Sequence, residues 1–167
     1  MKNILFIVGA LISLVLISNY ITKEDIIPED AIRIRVIANS NSEEDQKLKK
    51  EIKNELETFL YSNLKDVDNV ETADKIIKKE LPSVKKLIGK YTENYKVNYG
   101  LNYFPEKEYK GIKYEDGEYK SLVVTLGNGL GDNWWCVLFP PLCLLEAKES
   151  TDVEYHSYVV DLINKYK

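Results

Sequence analysis

Ala31-Ile32-Arg33-Ile34-Arg35-Val36-Ile37-Ala38-Asn39-Ser40-Asn41-Ser42-Glu43-Glu44-Asp45 decides the fold class of this chain. The first half alternates. Ile32, Ile34 and Val36 share one side and Arg33 and Arg35 the other, and a period of two means a β-strand. Asn39 to Ser42 ends the strand and opens a helix. Ser42 is a good N-cap, and Glu43, Glu44 and Asp45 place negative charge in the first turn, where the helix dipole favours it. Asp45, three residues past Ser42, approximates a capping box. Leu48, Ile52, Leu56, Phe59, Leu60 and Leu64 then recur at helical spacing, which predicts a helix from Glu43 to Asn63. A half-apolar strand running directly into a half-apolar helix predicts an α+β domain with sheet and helices in separate layers. The two arginines form either a solvated face with local salt bridges or a pair facing a partner.

Further along, Thr72 is a candidate cap for a second helix. Ala73, Ile76, Ile77, Leu81, Val84, Leu87, Ile88, Tyr91 and Tyr95 continue the apolar stripe, and Pro82 predicts a kink or a break into two helices. Lys75, Lys78, Lys79, Lys85, Lys86 and Lys90 read as a solvated helix face. From Val97 the pattern alternates again up to Pro105. Gly111 to Gly117 reads as turns, Tyr119 to Leu126 as a strand and Trp134 to Phe139 as another. Gly127-Asn128-Gly129-Leu130-Gly131-Asp132-Asn133 reads as a hairpin loop between those last two. Val153 to Tyr166 is helically spaced. The architecture expected is a mixed or antiparallel sheet of about four strands on two or three helices.

Length and charge bound the function. The 167 residues suit a single domain, and a net charge of −4 gives no electrostatic footprint for nucleic acid. Lys2 precedes an apolar run from Ile4 to Ile17, with no charge until Lys23. That is the pattern of a secretory signal, or of an uncleaved anchor, since no clear cleavage site follows. Residues 1–21 are therefore read as signal peptide or anchor, 22–30 as a tether and 31–167 as one exported domain. In an exported protein, Cys136 and Cys143, with Pro140-Pro141 bending the chain between them, are candidates for a disulfide. The alternative is two free buried thiols.

The rarest residues cluster. Gly131-Asp132-Asn133-Trp134-Trp135-Cys136-Val137-Leu138-Phe139-Pro140-Pro141-Leu142-Cys143 holds both tryptophans and both cysteines of the chain. On a strand, Trp134, Cys136 and Leu138 face one way, and Trp135, Val137 and Phe139 the other. Both faces are apolar. The strand is either covered on both sides or gives one face to another molecule. This segment resembles a signature of the stage II sporulation protein R family. Arg33 to Ser40, followed by Asp45-Gln46 and Leu48-Lys49, is similar to that family's N-terminal signature, and the order of the two agrees. Asn41 stands where family members often carry Asp.

Catalytic chemistry is hard to assemble from this sequence. His156 is the single histidine. It would have to serve any Cys–His or Ser–His pair, and no nucleophile-elbow motif accompanies it. Glu115, Asp116 and Glu118 sit in a polar turn. Gly127-x-Gly129-x-Gly131 leads into a strand rather than a helix, so it lacks the helix N-terminus that phosphate loops use. No catalytic residue, metal ligand or cofactor is expected. The resemblance implies an exported signal of endospore formation, made in the forespore and sent to the space between the two membranes. There it would activate a membrane-embedded aspartic protease that processes the sigma-E precursor in the mother cell. The partner-facing residues expected are Arg33, Arg35, Trp134, Trp135, Phe139, Pro140, Pro141 and Leu142. A secreted cell-wall or peptide hydrolase and a membrane-anchored structural domain are the alternative readings.

Overall fold

The computed structural model describes residues 28, 30–109 and 112–141. The proposed signal segment, most of the tether, Leu142, Cys143, His156 and the expected C-terminal helix lie outside them. The described elements run β1 (Ile32–Ile37), α1 (Glu43–Leu64), α2 (Val70–Ile88), β2 (Tyr95–Phe104), β3 (Lys107–Tyr109), β4 (Ile112–Tyr114), β5 (Gly117–Leu126) and β6 (Asn133–Phe139). Four strands form one mixed sheet in the order β2-β5-β1-β6. The α+β expectation holds. None of the described helices is long and apolar enough to cross a membrane.

The first strand sits in the middle of the sheet for a physical reason. Ile32, Ile34 and Val36 are fully or almost fully buried against the helices. Ile52, Leu56, Leu60 and Leu64 of α1 and Ala73, Ile77, Val84 and Ile88 of α2 join them in one core. β5 pairs with β1 in parallel, and β6 pairs with it antiparallel on the other side. β2 and β5 pair antiparallel over ten residues without a register shift. β3 and β4 form a small separate ladder between them in sequence.

Five expectations are corrected. The helix cap after α1 is Asn69, whose side chain accepts from Thr72 N–H at 2.8 Å, not Thr72 itself. Pro82 lies inside a single helix. Tyr95 begins β2 instead of ending that helix, and its hydroxyl donates to the Lys85 carbonyl near the helix end at 2.8 Å. Ile112–Tyr114 is a strand rather than turn. Finally, residues 127–132 do not close a hairpin, because β1 lies between β5 and β6. The segment crosses the end of β1, a topology that no local pattern encodes.

Candidate functional site

The crossing brings together three pieces of chain that the sequence presents separately. After β1, the backbone of Ala38 and Asn39 accepts from Gly131 N–H and Leu130 N–H, both at 3.0 Å. The Asn39 side-chain oxygen accepts from Asn128 N–H at 2.9 Å, and that of Asn41 from Asp132 N–H at 2.6 Å. The same asparagines reach the start of α1. Asn39 Nδ2 donates to Asp45 at 2.9 Å, Ser40 Oγ donates to the same carboxylate oxygen at 2.5 Å, and Gln46 Nε2 donates to the Ser40 carbonyl at 2.9 Å. Ser42 caps the helix as expected, accepting from Asp45 N–H at 3.2 Å. The Asp45 carboxylate turns back to Ser40 and Asn39, whose hydrogen bonds hold its pKa below the ordinary value. Lys49 Nζ closes the ring on the Asp132 carbonyl at 3.0 Å. Burial lowers the Lys49 pKa, and the Asp132 charge acts against that shift.

This explains the glycines. A Cβ on Gly131 would fall 2.2 Å from the Ser40 carbonyl oxygen, and one on Gly127, which also has φ +55°, 2.2 Å from Asn39 Oδ1. The loop is glycine-rich because it lies flat on another segment, and its hydrogen bonds are already committed there. Asn41, the departure from the family pattern, serves through its amide: its oxygen also accepts from Gln46 Nε2 at 3.2 Å. The sequence signal for this cluster was present as Asn39, Asn41 and the glycine spacing. Local pattern presents them separately, as a helix start and a hairpin loop.

The two arginines have different surroundings. Arg33 is not on a solvated face. It is 2% exposed, with its guanidinium carbon 3.2 Å from the centroid of Tyr119, 5.4 Å from Phe104 and 5.5 Å from Trp135. Phe104 meets Tyr119 and Trp135 edge-on, so the rings form a fixed cradle. A guanidinium stacks on aromatic faces more readily than it sheds its charge. Arg35 is half-buried, lies 5.2 Å from the Phe104 centroid and donates to the Tyr103 carbonyl at 3.4 Å. Burial lowers its pKa. The Asp45 carboxylate is held instead by Asn39 and Ser40.

The tryptophan strand pairs with the arginine strand. Arg35 is opposite Trp135 and Val36 opposite Trp134. Trp134 and Trp135 therefore face opposite sides, as alternation predicts: Trp134 packs on the helix-side core beneath Lys53, and Trp135 joins the aromatic side. Beyond Val137 the alternation fails. Arg33 is opposite Val137 but Ile32 is opposite Phe139, so Leu138 is the extra residue of a β-bulge. The bulge returns Phe139 to the core face, 2% exposed, instead of leaving it beside Trp135. The Phe139-Pro140 peptide is cis.

The expected Cys136–Cys143 disulfide is not found. Cys136 is a free thiol buried in the core cluster opposite Ile34, with Sγ 3.7 Å from the Val137 carbonyl oxygen. It takes the inward face that alternation assigns to it, and Cys143 lies outside the described residues. Of the expected partner-facing residues, Arg33, Phe139 and Pro140 are buried, while Arg35, Trp134, Trp135 and Pro141 keep part of their surface.

A second polar group lies at the other end of the sheet. Asp74 receives Lys78 and the Tyr99 hydroxyl at 2.8 Å and Lys120 at 3.0 Å. Burial pushes its pKa up, but those three partners outweigh it and bring it to about 2. Tyr99, buried and beside that carboxylate, moves well above the ordinary tyrosine range. An open cleft of about 390 Å³ is lined here by Asp30, Glu71, Asp74, Lys75, Leu101 and Lys120, among others. A carboxylate held ionised in this way cannot donate a proton near neutral pH, so Asp74 is unsuited to general-acid work. No group of three or more histidine, cysteine or acidic side chains that could hold a metal occurs among the described residues.

The family model described as Stage II sporulation protein R matches residues 28–149, covering both signature segments and the sheet they build. The chain belongs to the stage II sporulation protein R family. The Stage II sporulation protein R of Bacillus subtilis (strain 168) is 39% identical over 141 residues, which is 77% of this chain and 63% of that protein. The matched part therefore spans less than two thirds of that relative's length. No solved structure matches. Membership places this protein in sporulation.

Proposed function

We propose that this protein is an exported ligand of endospore formation. It leaves the forespore, enters the space between the two membranes and activates a membrane-embedded aspartic protease. The protease then processes the sigma-E precursor in the mother cell. The observation that carries this reading is the direct pairing of the two family signatures: Arg35 faces Trp135 across adjacent strands, and the loop between β5 and β6 is tied to Asn39 and Asn41. Residues far apart in sequence thus form one rigid surface, which suits recognition. Family membership and the apolar N-terminal run of the sequence support the compartment and the role.

As a ligand, the protein acts by binding the active protease state more tightly than the inactive one, which shifts that equilibrium. The contact falls to Arg35 and Trp135, with Pro141 beyond the strand end. An aromatic ring beside a guanidinium is a favoured anchor in interfaces. The test is co-expression with the protease and the precursor in a non-sporulating host. Wild-type protein should give cleaved precursor. Stable, exported protein with no cleavage overturns the proposal.

A further inference from the structure

The edge strand β2 points to a partner of a different kind. Among the described residues it stands at the end of the sheet order, so one row of its N–H and C=O groups has no strand beside it there. Natural sheets blunt such edges with charge, proline or bulges. β2 has none of these over most of its length: ten residues in unbroken register, one charged residue, Lys96, and no proline before Pro105. Its outer half also carries two large exposed side chains, Leu101 at 67% and Tyr103 at 58%.

We propose that β2 pairs antiparallel with β2 of a second copy, about a two-fold axis at Gly100, so that the two sheets become one. The sequence is self-complementary about that point. Tyr99 meets Leu101 of the other copy, Val97 meets Tyr103, and Asn98 meets Asn102. Each exposed apolar side chain is covered by one that already packs on the core. Aromatic–aliphatic cross-strand pairs are the favourable kind. Asn98 and Asn102 lie on the same face as Gly100 and already hydrogen-bond to each other at 2.9 Å, so the same amides can exchange between copies.

Charge agrees with this direction. One end of β2 is basic: Lys96 is exposed, and Tyr95 fixes the end of α2 with exposed Lys85, Lys86 and Lys90 beside it. The other end is acidic. Tyr103 donates to Asp116 at 3.3 Å and is opposite Glu118. The Asp116 charge raises the Tyr103 pKa, so the phenol stays a donor. A two-fold axis at Gly100 brings the acidic end of each copy to the basic end of the other. A parallel arrangement would set like charges together.

The test uses the full chain, exported and recovered under non-reducing conditions. A Cβ on Gly100 meets nothing within 4 Å, so Gly100→Cys is tolerated. Directly opposed residues of antiparallel strands have Cα atoms roughly 4.5–5.5 Å apart, within disulfide reach. Gly100→Cys should give a covalent dimer that the wild-type chain does not. Lys96→Cys should not, because its two-fold mate would lie eight positions away, roughly 26 Å at 3.3 Å per residue. Adding Leu101→Glu, next to Lys120 and compatible with the fold, should reduce the cross-linked fraction about tenfold by burying a charge between copies. Its melting curve should match that of the parent. Failure of Gly100→Cys to link, equal linking through Lys96→Cys, indifference to Leu101→Glu, or linking to a different protein overturns the proposal. The precursor-cleavage assay is independent of all four outcomes.

Discussion

The two faces of β1 are built from neighbouring residues and held by different forces. Toward the helices, Ile32, Ile34 and Val36 contribute area and shape. Toward the other side, Arg33 is as well buried as the isoleucines, yet it is charged and held among Tyr119, Phe104 and Trp135. Strand alternation assigns the sides but says nothing about the depth of either. A face that reads as polar is therefore not necessarily a solvated one.

The comparison can be broken first where the bulge was missed. Phe139→Ala and Ile34→Ala both remove fully buried side chains from the same core and should each cost about 2–5 kcal/mol in chemical denaturation. A loss well below that range for Phe139→Ala alone would place its ring outside the core. Next comes the aromatic side. Arg33→Ala removes a desolvated cation from three rings, which should cost about 2 kcal/mol in the same assay. A neutral result would mean that neither the guanidinium nor its stem is needed to hold the rings.

At the far end of the sheet the effect is electrostatic and has a sign. The Asp74 pKa is depressed to about 2 in the folded state, below the carboxylate's ordinary value. Its contribution is thus present above about pH 4 and is lost as pH falls toward 2. Because Lys78 and Lys120 are substantially exposed, solvent screening limits that contribution to about 1 kcal/mol. Asp74→Asn should flatten the acid limb of a stability-versus-pH curve, and an unchanged limb would assign it to other carboxylates.

The smallest change in stability separates fold from function. Arg35→Ala and Trp135→Ala remove partly buried groups and should shift the melting temperature only slightly, with a cost of about 1 kcal/mol. Both should abolish precursor cleavage in the co-expression assay. Trp134→Ala, on the core side, should instead lose cleavage only as far as it loses fold. Parallel losses in all three would move the contact surface elsewhere.

Much of this was legible from local pattern. The cap at Ser42, the apolar stripe of α1 and the opposite faces of Trp134 and Trp135 all follow from period and from backbone valence. Asn69 was missed as a cap because Thr72, three residues on, has the same side-chain chemistry; only the backbone N–H to be satisfied distinguishes them. Compartment and spacing suggest an oxidised partner for Cys136, whereas the structure has it as a free thiol turned into the core.

By itself the sequence determined the two long helices, the four strands of the main sheet, the faces of β1 and of β6 as far as Val137, and the family, because these depend on residues a few positions apart and on a recognisable order of motifs. The tertiary structure decided the rest. It set β1 between β5 and β6, laid the glycine loop on Asn39 and Asn41, closed aromatic rings around Arg33 and inserted the bulge that turned Phe139 inward. Each of these depends on which strand lies beside which. That choice is made by the burial of whole faces at once, and no short window of sequence carries it.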